Sequence, residues 1–236
     1  MSFAGQFAYW FTNAAYLAGM PAYAALIRGA AAASTSHREL LEITKKMRLR
    51  GYSLRPYQVD DEILELMSVI ERRAPKRVVE IGTARGGTLF LLLNVLPKDA
   101  HVVSVDLPHG PYGGGYPHWK IPFFHTLAFG GPKLTLLRGK SQSEDMLNRV
   151  RDALGGPADF LFIDGDHSYE GVKADFELYR SLAAPGAMVA FHDIVPHRQN
   201  DVGVDRFWRE VSAGREHRVV VRDWGQGTCG IGLLFL

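Results

Sequence analysis

Apolar residues change period along this chain. Arg77–Ile81, His101–Val105, Lys133–Leu137, Asp159–Ile163 and Ala187–Phe191 are short and almost continuously apolar. Between them, about Gly87–Leu96, Ser143–Leu154, Tyr169–Leu182 and Asp205–Val211 read as helices. Such strands alternating with helices predict a parallel sheet covered on both faces. Two further strand-like stretches, His217–Trp224 and Ile231–Leu236, have only Gly225–Gly230 between them. A parallel crossover needs about a dozen residues, so these two strands are antiparallel neighbours. The expected fold is α/β: a doubly wound, mostly parallel seven-stranded sheet ending in an antiparallel hairpin.

Upstream, the pattern is helical. Ser36-His37-Arg38-Glu39 fits a capping box and opens a helix running towards Arg48. Lys45, Lys46, Arg48 and Arg50 cluster there, as a solvated face or a site for an acidic partner. Asp60–Arg72 reads as a helix ended by Pro75. The first 27 residues carry no charge, and Arg28 is the first. A signal peptide wants its positive charge before the apolar run, and a span wants about 20 apolar residues. Gln6, Thr12, Asn13 and Pro21 interrupt this stretch. Phe3, Phe7, Trp10, Phe11 and Ala14 recur at helical spacing, which predicts an amphipathic helix broken near Pro21. Its stripe packs on the core or on a second subunit, or makes a peripheral membrane contact. Pro108–Pro132 is rich in Gly, Pro, His and aromatics and lacks a period. It leaves the carboxyl end of the second strand and reads as a substrate lid, or as a short helix with an exposed loop. In a lid, Tyr112, Tyr116, His118 and Trp119 meet an aromatic ring or a sugar face, or pack the lid down. The expected organisation is a helical arm over 1–56 and a catalytic domain over 57–236, with the lid inserted at 108–132.

Composition narrows the partners. The 236 residues hold 27 Lys plus Arg against 25 Asp plus Glu, a net charge of +2 that makes no case for nucleic acid. The single cysteine, Cys229, allows no intrachain disulfide, compatible with a reducing cytoplasm.

The chemistry begins at the first strand. Gly82 and Gly86 in Glu80-Ile81-Gly82-Thr83-Ala84-Arg85-Gly86 permit a tight turn, and the next helix offers free N–H groups. A pyrophosphate fingerprint wants glycine at position 84, where this chain has alanine. Glu80 in the turn entrance repels a pyrophosphate and suits a sulfonium or ammonium group. Asp106 ends the second strand, where an acid grips ribose hydroxyls. Glu80-Ile81-Gly82-x-x-x-Gly86, Asp106 and the terminal hairpin resemble the class I S-adenosylmethionine-dependent methyltransferases, over roughly 57–236. The resemblance implies a Rossmann-like methyltransferase fold, with S-adenosylmethionine held by Glu80, Gly82, Thr83, Gly86, Asp106 and Asp164. It also implies Gly139 and Ser141 near the adenine, although Ser141 alternatively caps the helix that follows.

A second constellation joins Asp164-Gly165-Asp166-His167 to His192-Asp193. Both follow strand ends on one edge of the sheet, so their ionisable groups converge, and they are costly there unless paired or coordinated. The pattern resembles the metal-dependent O-methyltransferases of the catechol and caffeoyl-coenzyme A types, and the bacterial enzymes that methylate sugars and antibiotics. That resemblance implies Mg²⁺ or another divalent cation on Asp164, His192 and Asp193. It implies His167 as general base, with Asp166 as the alternative used in some relatives. The chain departs from the pattern at His192, where Asp or Glu is more common and binds Mg²⁺ better than imidazole. The other reading is an Asp–His network that orients the base without a metal. The expected activity is methyl transfer to a hydroxyl of a small sugar or phenol in a tailoring pathway, by a cytoplasmic homo-oligomer. The rival readings are a nucleotide-dependent oxidoreductase and a non-catalytic protein that keeps the fold.

Overall fold

The computed structural model describes residues 3–110, 115–199 and 201–236, with main chain alone over 3–17. Three helices precede the sheet: α1 (Phe3–Ala33), α2 (His37–Lys46) and α3 (Asp60–Arg73). There follow β1 (Arg77–Ile81), α4 (Gly87–Val95), β2 (His101–Asp106), α5 (Ile121–Leu127), β3 (Lys133–Arg138) and α6 (Glu144–Leu154). The rest is β4 (Ala158–Ile163), α7 (Tyr169–Tyr179), β5 (Ala183–His192), α8 (Val204–Ser212), β6 (His217–Val220) and β7 (Ile231–Phe235). The seven strands lie in the order β3-β2-β1-β4-β5-β7-β6. β7 runs antiparallel to both β5 and β6, and the remaining pairs are parallel.

Alternation along the strands builds two core layers. Val78, Val102, Phe160 and Phe162 face the layer of α1–α5, while Val79, Val103, Leu161 and Ile163 face that of α6–α8. Both faces are apolar because both are covered, which is why the strands read as unbroken runs. The order reverses between β1 and β4, and open α/β sheets bind ligands in the crevice at such a point.

Three expectations are corrected. First, α1 continues through Pro21. Pro21 lies on the exposed side, while Met20, Tyr23, Ala24 and Ile27 anchor the helix from within. The side chains of the Phe3–Ala14 stripe lie outside the described residues. Second, much of the expected lid is core. His118–Lys120 forms a 3₁₀ turn leading into α5, whose Phe123 stacks on Tyr23 of α1 at 5.6 Å. Tyr116 is buried edge-on against Phe124 at 5.0 Å instead of facing a substrate, and Tyr112 lies outside the described residues. Third, β6 stops at Val220, because Asp223 turns the chain by accepting the Gly225 N–H at 2.8 Å. No helix among the described residues is long and apolar enough to cross a membrane.

Candidate active site

The turn after β1 is shaped by close approach. Gly82 has φ +99°, and a Cβ there would lie 2.0 Å from the Asp164 carbonyl oxygen. At Gly86, φ is +83° and a Cβ would strike the Phe124 ring. Only glycine tolerates both demands. Ala84 takes the left-handed region without being glycine, at φ +46°. Its N–H donates to Asp106 Oδ2 at 2.8 Å, and Gly115 N–H donates to Oδ1 at 3.0 Å. Asp106 thus ties the glycine turn to the start of the expected lid. Burial raises its pKa, against the lowering by these N–H donors.

A cleft of about 860 Å³ of open space runs over the tips of β1, β2 and β4. Gly82, Asp106, Ser141, Asp164, Asp166 and His167 line it. Gly139 lies on its wall too, beside Gln142, which sequence reasoning missed. Gln142 Nε2 donates to Asp175 Oδ2 at 3.1 Å, and burial pushes the Asp175 carboxyl up to about 7.

Glu80, Thr83 and Gly86 do not line the cleft. Glu80 is 0 % exposed beneath the turn. Ser104 Oγ donates to Glu80 Oε2 at 2.5 Å, and Thr83 Oγ1 lies 2.6 Å from Ser104 Oγ. Among the described residues Glu80 Oε1 has no hydrogen-bond partner, and burial pushes the carboxyl up to about 8. The carboxyl expected to face a sulfonium lies under the turn instead, where burial favours its uncharged form.

The tips of β4 and β5 do converge. His167 Nδ1 lies 2.5 Å from Asp193 Oδ2, and its Nε2 lies 3.6 Å from Asp164 Oδ1. An ionised carboxylate only accepts, so Nδ1 carries the proton and Nε2 holds the lone pair. Burial works to lower the His167 pKa, but the Asp193 hydrogen bond and the two carboxylate charges outweigh it and leave it raised. Gln58 Nε2 donates to Asp164 Oδ2 at 2.8 Å. Asp166 is drawn off into the start of α7, where its Oδ1 accepts the Ser168 N–H at 3.0 Å.

The entry to β7 supplies a residue, Cys229, whose role was not foreseen. The register of that strand places Ile231 opposite His192, and Val195 N–H donates to the Cys229 carbonyl at 3.0 Å. Cys229 N–H donates to Asp193 Oδ1 at 2.8 Å. Asp193 and Cys229 both occupy the left-handed region, at φ +64° and +62°. Strain of that kind persists where the surroundings fix it. Glu62 of α3 does part of that fixing, accepting N–H groups from Arg222 and Gly230, each at 2.9 Å. His192 is 4 % exposed, and among the described residues neither ring nitrogen makes a hydrogen bond of good geometry. Its Nδ1 sits 2.9 Å from Asp164 Oδ1, close enough for charge attraction without hydrogen-bond geometry. Despite burial, the charges of Asp164 and Asp193 hold the His192 pKa well above the ordinary imidazole value.

The expected Mg²⁺ ligands do not fit that ion. Mg²⁺ demands near-octahedral oxygen donors. Here both Asp193 oxygens face N–H donors, one Asp164 oxygen is held by Gln58, and the third group is an imidazole. A second cavity opens on the other side of this cluster, lined by His197, Arg198, Gln226 and Cys229. Tyr57, His167 and His192 line both cavities.

Residues 79–194 match the family model described as "Methyltransferase domain". Two curated relatives are uncharacterized proteins: y4gI of Sinorhizobium fredii (27% identical) and R132 of Acanthamoeba polyphaga mimivirus (28% identical). Each alignment takes in 68% of this chain, but only 18% of the first relative and 72% of the second. Among solved structures, the chain is similar to the O-methyltransferase TomG from Streptomyces achromogenes, in complex with SAM. There the TM-score is 0.59 at 20% identity, covering 86% of this chain and 90% of that one. It is similar also to an O-methyltransferase from Bacillus cereus in complex with SAH. There the TM-score is 0.59 at 17% identity, covering 92% and 99%. That family match is seated on β1 to β5 and the sheet is closed by an antiparallel β7, so residues 79–194 match a methyltransferase domain within the Rossmann-like fold that these O-methyltransferases share.

Proposed function

We propose that this protein moves a methyl group from S-adenosylmethionine to a hydroxyl of a small molecule, a sugar or a phenol, with His167 as general base. The observation that carries the reading is His167 itself: it stands between two cavities with its Nδ1 held by Asp193. The cleft over the glycine turn is the cofactor side, where Asp106 meets the ribose and Gly139 and Ser141 flank the adenine. The cavity beyond His192 is the acceptor side. O-methylation, the activity named for TomG and for the Bacillus cereus protein, supports the choice of acceptor atom.

When bound, S-adenosylmethionine supplies a methyl on a positively charged sulfur that leaves as a neutral thioether. The acceptor hydroxyl is the weak partner and must lose its proton as it attacks. His167 Nε2 takes that proton. Asp193 fixes the tautomer and stabilises the imidazolium that forms, which is general-base catalysis by an oriented imidazole. Tyr57, exposed and covered by the Arg85 guanidinium at 5.5 Å, bridges the two cavities and lines the path between donor and acceptor. Holding the reacting atoms in line contributes much of the remaining acceleration. No step passes through Mg²⁺.

The test has two parts. Calorimetry should show binding of S-adenosylmethionine and none of NAD. Incubation with methyl-labelled cofactor and a panel of sugars and phenols should place the label on oxygen. Binding of NAD in preference to the sulfonium nucleoside, or label transferred only to nitrogen or carbon, would falsify the proposal.

A further inference from the structure

His192, Asp193 and Cys229 each offer one ligand atom, and these atoms all lie within 4.8 Å of one another. All three residues are buried. The set holds one imidazole nitrogen, one carboxylate oxygen and one thiol sulfur. Mg²⁺ does not choose such donors; Zn²⁺, Co²⁺ and their neighbours do. We propose that His192, Asp193 and Cys229 form a binding site for a borderline divalent transition-metal ion, entered from the acceptor-side cavity.

Two independent features support the site. The first is His192, whose buried ring nitrogens make no hydrogen bond of good geometry among the described residues, although Nδ1 lies 2.9 Å from Asp164 Oδ1. A buried polar atom left so is destabilising, and coordination relieves it. The second is the way in. The cavity lined by His197, Gln226 and Thr228 ends on all three ligands and has a polar wall. The site differs from the one implied by the family resemblance in its donors, since sulfur from the β7 side takes part and Asp164 does not.

Binding has a definite proton balance. Cys229 Sγ–H now donates to the Tyr57 carbonyl at 3.4 Å. A metal–sulfur bond replaces that contact, and the thiol proton leaves to solvent. The chosen imidazole nitrogen must likewise be free of its proton. Three protein ligands leave a fourth tetrahedral position open towards the cavity, for water or an acceptor oxygen. Both Asp193 oxygens now accept N–H groups, from His167 and from Cys229, so ligation displaces one of them, and displacement of His167 slackens the base.

Cys229 is the sole cysteine of the chain, which makes the test unambiguous. The reduced, metal-stripped protein is titrated with Co²⁺ and its near-ultraviolet absorption followed. One equivalent should produce a thiolate-to-cobalt charge-transfer band. Zn²⁺ should abolish the band by displacement, while Mg²⁺ in large excess should not. Cys229→Ser should lose the band, and His192→Ala should bind Co²⁺ at least about tenfold more weakly, as expected for loss of a ligand. Absence of a band in the parent protein overturns the site, as does a band whose affinity is unchanged in His192→Ala. Should either variant fail to fold by circular dichroism, competition of the parent protein with a chromophoric chelator for Zn²⁺ decides. Uptake of one equivalent supports the site, and no uptake removes it. Neither readout depends on methyl transfer, so loss of this site leaves the methyltransferase reading intact, and failure of that reading leaves the metal titration valid.

Discussion

The two sides of the sheet tip are built by different rules. On the cofactor side, β1 and β2 are adjacent in sequence and in space, and the two acids they carry are held by local groups. Asp106 is gripped by backbone N–H donors of Ala84 and Gly115, and Glu80 by the hydroxyl of Ser104. On the acceptor side, four segments far apart in sequence meet: Gln58, Asp164 to His167, His192 to Asp193, and Cys229. The first side is a shaped surface whose charges are quenched by burial or by N–H donors. The second is a set of coupled charges whose pKa values are pulled by one another. Binding needs only the former; moving a proton needs the latter.

Breaking the acceptor side should therefore produce the largest effect. His167→Ala is expected to slow the chemical step by on the order of 10²–10⁴ while cofactor affinity survives, as measured by single-turnover kinetics and calorimetry. Breaking the cofactor side should do the opposite. Asp106→Asn leaves two backbone N–H groups facing an amide, and cofactor affinity should fall by roughly tenfold or more at a nearly unchanged chemical step. If both variants lowered the two parameters alike, the division between the sides would collapse.

A smaller effect separates the two sides by stability. Glu80 holds its proton to about pH 8 in the fold, against 4.5 for an ordinary glutamate. Between those values the folded state binds more protons, so stability falls as pH rises across the window. Glu80→Gln removes that slope. The variant should equal the parent near pH 4.5 and exceed it at pH 8 by on the order of 1–3 kcal/mol in urea denaturation. The smallest effect is a displacement of the pH profile. In the proposed mechanism the active base is neutral His167, whose pKa is raised. The rate should rise with pH through an inflection above the ordinary 6.5, and Asp193→Asn should bring the inflection down.

What could be read in the sequence follows the same division. The glycine turn, Asp106 and the strand-tip groups sit in unbroken apolar runs with polar residues where those runs stop, so their place was legible. Cys229 and Glu62 were not, because each meets the site only through tertiary packing. Glu62 is a single polar residue within the buried face of α3. The expected position of Glu80 failed for a reason that side-chain alternation makes plain. It is a strand residue whose side chain lies under the turn, where Ser104 donates to it. α5 was legible only as an alternative, a short helix without bounds, since seven residues opening on Ile121-Pro122 give no period to detect.

The strand order carries a cost during synthesis. β6 leaves the ribosome before β7, yet its only place in the sheet is against β7. Until the later segment emerges, the Met188–His192 stretch of β5 presents an open, apolar pairing edge. Such edges recruit other chains. Nascent-chain protection, by a chaperone or by rapid translation of the final hairpin, is thus most valuable in the interval between α8 and β7, and the catalytic cluster matures only when that interval closes.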